Sequence, residues 1–162
     1  MVAKQNPTIK LSRRQIIFQI LRLVPTKLIK GEYETPQVSE ISASDLSQRL
    51  ASGQPPLVID TRSREEYSGG YGHIPGSLHL PMMDLVVTFP SLDAFKKKVK
   101  SLEDQFDAID PHREREVVTV CPGGGFSLVA AEIMAEAGFQ DVKSLDGGAD
   151  GWFKRGYPTT KE

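Results

Sequence analysis

Three short apolar runs stand out along the chain: Leu57-Val58-Ile59 between Pro56 and Asp60, Val117 to Val120 ahead of the sole cysteine, and a weaker run at Val142 to Leu145. Each is short, nearly continuous in apolar character and bounded by Pro, Gly or charged residues. That pattern predicts strands buried on both faces of a parallel sheet. Between them, apolar positions recur at helical spacing. A short helix is expected to open around Ile41 to Leu46, with Ser42 as its N-cap and Leu46 and Leu50 facing inward, and to end at Gly53-Gln54-Pro55-Pro56. Leu92 to Ile109 places Phe95, Val99, Leu102 and Phe106 on one stripe and stops at Asp110-Pro111. Leu128 to Ala137 does the same with Leu128, Ala131, Met134 and Ala135, closed by Gly138. Strands alternating with helices predict an α/β domain whose parallel sheet is covered on both sides.

The first 36 residues read differently. Arg13 to Val24 is predicted as a helix stopped by Pro25, with Ile16, Ile17, Ile20, Leu21, Leu23 and Val24 on one side and Gln15, Gln19 and Arg22 opposite. Residues 1–30 hold seven Lys or Arg and no Asp or Glu. The rest of the chain therefore has 13 basic against 21 acidic residues, a net of −8. A basic arm (residues 1–36) thus precedes an acidic domain (residues 37–162). Three readings of the arm stay open: docking on the domain or on a twin subunit, contact of residues 13–24 with an anionic membrane surface, or docking on another partner. No apolar stretch reaches the roughly 20 residues that span a bilayer. Ser12-Arg13-Arg14 superficially suggests a twin-arginine leader, but Gln19 and Arg22 break the apolar part and no small-residue cleavage site precedes Pro25. The expected compartment is the cytoplasm. The acidic body argues against nucleic acid as the main partner, since no basic stripe accompanies the candidate site.

One cysteine in 162 residues rules out an internal disulfide framework, and His73, His79 and His112 show no zinc-ligand spacing, so neither a metal nor a cofactor is expected. The setting of Cys121 is unusual for an inert thiol. It ends a strand, in the stretch CPGGGFS, at the sheet edge where parallel α/β sheets bind ligands. Pro122 stiffens the first step of the turn. Gly123, Gly124 and Gly125 leave inward-pointing amides unobstructed, and a helix near Ser127 adds its positive end. Such a nest stabilises a thiolate, or the outer sulfur of a persulfide. Asp60 and Asp146-Gly147-Gly148 end the neighbouring strands and are expected on the same rim.

Asp60-Thr61-Arg62 with Glu66-Tyr67, Gly72 to Gly76 (GHIPG), the cysteine loop, and Leu145 to Trp152 (LDGGADGW) occur in the order and spacing of the rhodanese sulfurtransferase domain, which the chain strongly resembles from about Ile41 to Pro158. The resemblance implies a five-stranded parallel sheet with helices on both faces. It also implies transfer of sulfane sulfur through a Cys121 persulfide to a thiol or cyanide, from a small sulfur-containing donor and possibly with a sulfur-carrier protein as partner. Pro122 to Ser127 and Arg62 are the expected substrate-binding residues, with Asp60 and His73 as structural support. Asp60 would cap its turn or accept from loop amides. Arg62 would pair with Glu66 or another carboxylate, or steer anions. His73 would organise its turn; His79 and His112 are expected to be incidental, and Trp152 and Phe153 to close the core.

One position departs from the family. Active rhodaneses commonly have Arg where this chain has Phe126, and no Lys or Arg occurs between Cys121 and Lys143. Thiosulfate would lose a charge-assisted contact, whereas a persulfide or polysulfide would lose less and could lie against Phe126. Two rivals share much of the pattern. A cysteine phosphatase or arsenate reductase needs Arg six residues after the cysteine, where Ser127 stands. A non-catalytic interaction module on the same fold is the remaining alternative.

Overall fold

A computed structural model describes residues 38–82 and 109–162 apart from residue 137. The expected helices at Arg13–Val24 and over most of Leu92–Ile109 lie outside these residues. In chain order the elements are β1 (Ser39–Ile41), α1 (Ala43–Leu50), β2 (Leu57–Asp60), α2 (Arg64–Ser68), β3 (Leu78–His79), β4 (Glu116–Val120), α3 (Gly125–Glu136), β5 (Asp141–Leu145) and α4 (Gly148–Lys154). The five strands form one sheet in the order β1-β5-β4-β2-β3, with every pairing parallel.

The three apolar runs form the centre of this sheet. β2 is buried throughout, and β4 at every position after Glu116, as their continuous apolar character demands. On one face Val58, Val118, Val120 and Leu145 pack with Ile41, Leu46 of α1, and Ala149 and Trp152 of α4. The opposite face turns Thr119 and Ser144, which are register partners, toward α3. The sheet is therefore covered on both sides.

Local signals explain the helices that flank it. Ser42 accepts from the Asp45 amide at 3.0 Å and starts α1 where its sequence predicts. Ser63 and Glu66 close a reciprocal capping box at the start of α2. Asp110-Pro111-His112 forms a single 3-10 turn after Ile109. Two of the five strands that the resemblance implies have no apolar run to mark them: Ser39–Ile41 and Leu78–His79 are edge strands of three and two residues, too short to show a period. α3 also starts earlier than its apolar stripe indicates, at Gly125 instead of Leu128. The last three residues of the glycine-rich stretch are thus the first helical turn.

Candidate active site

Cys121 directly follows β4, and its thiol faces the first turn of α3. Sγ accepts from the Gly124 amide at 3.0 Å and lies 3.3 Å from the Ser127 hydroxyl. The anion nest is narrower than the three glycines imply: Gly124 supplies the amide that reaches sulfur. That position requires glycine, with φ of +96° and space bounded by the backbone of Leu145, Gly147 and Gly148. Gly123 and Gly125 have ordinary φ and open space around them. Phe126 is buried, so the family's customary Arg position here turns an aromatic ring inward.

Behind the sulfur sits a buried set of hydroxyls. Ser127 Oγ is 2.6 Å from Ser144 Oγ on β5, and Thr119 Oγ1 donates to the Ser127 carbonyl at 2.7 Å. All three residues are fully buried. The start of α4 grips the loop from the other side. Ala149 N–H donates to the Cys121 carbonyl at 2.8 Å, and Asp150 N–H to the Pro122 carbonyl at 3.0 Å. Gly148 (φ +60°) makes this approach possible, since a Cβ there would lie 2.3 Å from the Cys121 carbonyl oxygen. The strand ends do meet on one rim, and the third motif closes over the loop through backbone amides. Sequence reasoning singled out Gly147 and Gly148 but missed Ser144, Thr119, Ala149 and Asp150. A serine within an otherwise apolar strand run was the available signal for Ser144.

The supporting residues form a second, rigid group. Asp60 accepts from the Arg62 amide at 3.0 Å, the turn-capping role expected of it, and also binds the Arg62 guanidinium through both oxygens at 2.8–3.1 Å. Of the partners considered for Arg62, Glu66 is excluded, because its carboxylate is used in the capping box with Ser63. Arg62 Nη2 also donates to the Gly72 carbonyl at 2.7 Å, and its head stands 5.4 Å from the Phe153 ring centroid. The guanidinium is almost wholly buried and is held through Nε and Nη2 by Asp60 and the Gly72 carbonyl. Lys143 is bound to Asp141 and Glu116. Among the described residues, no cationic side chain forms a hydrogen bond with Sγ.

His73 organises its turn: its Nδ1 bonds the Tyr67 carbonyl at 2.7 Å, and its backbone exchanges two hydrogen bonds with Thr160. His79, expected to be incidental, has Nε2 at 2.8 Å from the Arg62 carbonyl. Both imidazoles stack on Tyr67, at centroid distances of 3.6 and 4.3 Å. Trp152 is buried and donates from Nε1 to the Pro158 carbonyl. Phe153 is less enclosed. With Arg62, Tyr71, Asp150 and Lys154 it lines a cavity of about 530 Å³ between α2 and α4. No group of three or more metal-binding side chains occurs among the described residues, and none of their helices is long and apolar enough to cross a membrane.

An open parallel α/β sheet with a thiol cradled at its carboxyl edge, between a strand end and a helix N-terminus, defines a class of cysteine-centred α/β proteins. Within that class, this chain belongs to the rhodanese-like domain family, whose model matches residues 42–155. A sulfurtransferase of Allochromatium vinosum is 29% identical over 121 residues, 75% of this chain and 94% of its own length. The chloroplastic thiosulfate sulfurtransferase 16 of Arabidopsis thaliana is 32% identical over 122 residues, 75% of this chain and 92% of its own. Among solved structures, the human single-domain sulfurtransferase superposes with a TM-score of 0.54 at 26% identity, covering 73% of this chain and 97% of that one.

Proposed function

We propose that the protein is a sulfurtransferase that carries sulfane sulfur on Cys121. The family and its sulfurtransferase relatives support the general activity. The observation that supports the residue assignment is the contact of Sγ with the Gly124 amide and the Ser127 hydroxyl, beside the N-terminus of a 12-residue helix. The amide and the hydroxyl hold the sulfur against the first turn of that helix.

In the loading step the Cys121 thiolate attacks the terminal sulfur of a persulfide or polysulfide. The S–S bond of the donor breaks, its remaining sulfur leaves as a thiolate or shorter polysulfide, and Cys121 becomes Cys–S–S⁻. In the second step a nucleophilic acceptor attacks the outer sulfur and the Cys121 thiolate departs. Cyanide leaves as thiocyanate, and a thiol acceptor leaves as a persulfide. Both steps are nucleophilic displacements at sulfur with no net redox change, and need no external oxidant. The chain has no second cysteine, so the sulfur must leave to another molecule.

Two features favour persulfides or polysulfides over thiosulfate as donors. Phe126 stands where active rhodaneses commonly have Arg, and among the described residues no cationic side chain hydrogen-bonds Sγ to hold a dianion. Cys121 is only 1% exposed, which favours a donor that presents a single terminal sulfur on a slim chain. A sulfur-carrier protein that delivers an extended, persulfide-bearing terminus would meet the same requirement. Intact-mass analysis tests the reading: exposure to polysulfide should add sulfur to the chain, cyanide should remove it as thiocyanate, and Cys121→Ser should show neither. Absence of an adduct with polysulfide, thiosulfate and low-molecular-weight persulfides alike would reject it.

A further inference from the structure

The hydroxyl pair behind the sulfur has a polarity. Ser127 Oγ has three neighbours: Cys121 Sγ at 3.3 Å, the Gly124 carbonyl at 3.3 Å and Ser144 Oγ at 2.6 Å. Ser144 Oγ has Ser127 as its side-chain partner, and both residues are fully buried. Each hydroxyl has one proton to give. If the sulfur bears a proton, the thiol can donate to Ser127. Ser127 then donates to Ser144 or to the Gly124 carbonyl. Where Ser127 donates to Ser144, the Ser144 proton has no acceptor among the described residues. If the sulfur is a thiolate, both protons are used: Ser144 donates to Ser127, and Ser127 donates to sulfur alongside the Gly124 amide. With a neutral thiol the donors are all used as well when Ser127 turns to the Gly124 carbonyl and Ser144 donates to Ser127, so in either state the arrangement that strands no buried proton has Ser144 as the donor to Ser127.

We propose that Ser144 is a positioning residue for sulfur transfer: it donates to Ser127 Oγ and thereby leaves the Ser127 proton available to Cys121 Sγ whenever the sulfur is a thiolate. This rests on Cys121 being the sulfur carrier. The same alignment serves both half-reactions, because the charge on Sγ is the nucleophile in loading and the leaving group in discharge. In the persulfide the charge moves to the outer sulfur, and the Ser127 proton is then free to turn back toward the Gly124 carbonyl. Register makes the arrangement possible. Ser144 pairs with Thr119 across β4 and β5, so its hydroxyl lies under the first turn of α3, two strand positions before the cysteine.

A double-mutant cycle separates this role from mere packing. Ser144→Ala, Ser127→Ala and the double variant are compared at neutral pH for the rate of Cys121 alkylation by iodoacetamide, and for the rates of loading by polysulfide and discharge to cyanide. Ser144→Ala is expected to slow alkylation and both transfer steps by about three- to tenfold, the scale of one hydrogen bond acting through a charged neighbour. In the Ser127→Ala background its further effect should shrink to less than about twofold, because the relay is already cut. A wild-type rate for Ser144→Ala, or a penalty that persists undiminished without Ser127, would overturn the proposal. Alkylation uses no sulfur donor, so the cycle remains decisive even if no donor loads the protein. Should Ser144→Ala fail to fold, Ser144→Cys keeps the volume with a much weaker donor, and alkylation at position 121 is then read by peptide mapping.

Discussion

Gly148→Ala puts the greatest strain on the loop with the smallest change in chemistry. Gly148 has φ of +60°, a conformation that costs an L-residue roughly 1–2 kcal/mol. The added Cβ would lie 2.3 Å from the Cys121 carbonyl oxygen, 2.5 Å from that of Pro122 and 2.7 Å from the Gly124 nitrogen. All three are backbone atoms, so no side chain can rotate away. Restoring an ordinary separation of about 3.5 Å moves the loop and α4 apart by roughly 1 Å. That displacement falls on the hydrogen bonds from Ala149 and Asp150 to the loop carbonyls, each contributing about 0.5–1.5 kcal/mol. The combined loss is about 2–5 kcal/mol, a large share of the roughly 5–15 kcal/mol that stabilises a domain. Urea denaturation should show the midpoint falling by roughly 1–2 M. Loading of whatever folded protein remains, read by intact mass, should slow by about tenfold to a hundredfold, because the thiol is no longer aimed. Gly123→Ala is the matched control for stability: its Cβ meets nothing within 4 Å and its φ is ordinary, so its midpoint should stay near wild type. A Gly148→Ala protein with wild-type midpoint and loading rate would refute the claim that α4 holds the loop.

Other perturbations separate charge from geometry. Phe126→Arg should raise the rate of loading by thiosulfate relative to polysulfide by about tenfold, the scale of a charge-assisted hydrogen bond. An unchanged or lower ratio would show that the missing cation does not decide the donor. Arg62→Ala should cost about 3–5 kcal/mol in equilibrium denaturation, because it strands the buried Asp60 carboxylate. Arg62→Lys should recover only part of this, since an ammonium cannot reproduce the two-nitrogen grip. A loss below about 1 kcal/mol for Arg62→Ala would mean that Asp60 does not need its partner.

The central strands were legible because burial on both faces leaves a direct mark, an uninterrupted apolar run. The N-cap at Ser42 and the glycine-rich turn at Cys121 were legible because local backbone chemistry determines them. The sequence alone therefore determined the fold class, the place of the single cysteine at a strand end and the absence of a cationic residue in its loop. The tertiary structure decided what those residues touch. Asp60 and Glu66 lie two and four residues from Arg62, so spacing could not choose between them; the capping box takes Glu66 and leaves Asp60 for the guanidinium. The edge strands left no mark because two or three residues cannot display a period. Ser144 and Ser127, like Gly148 and Cys121, are far apart along the chain. They meet only because parallel register brings the ends of β4 and β5 level beneath one helix and beside another. Periodicity records which face of an element is buried, while the donor that reaches a given atom depends on register and helix placement, which no local pattern encodes.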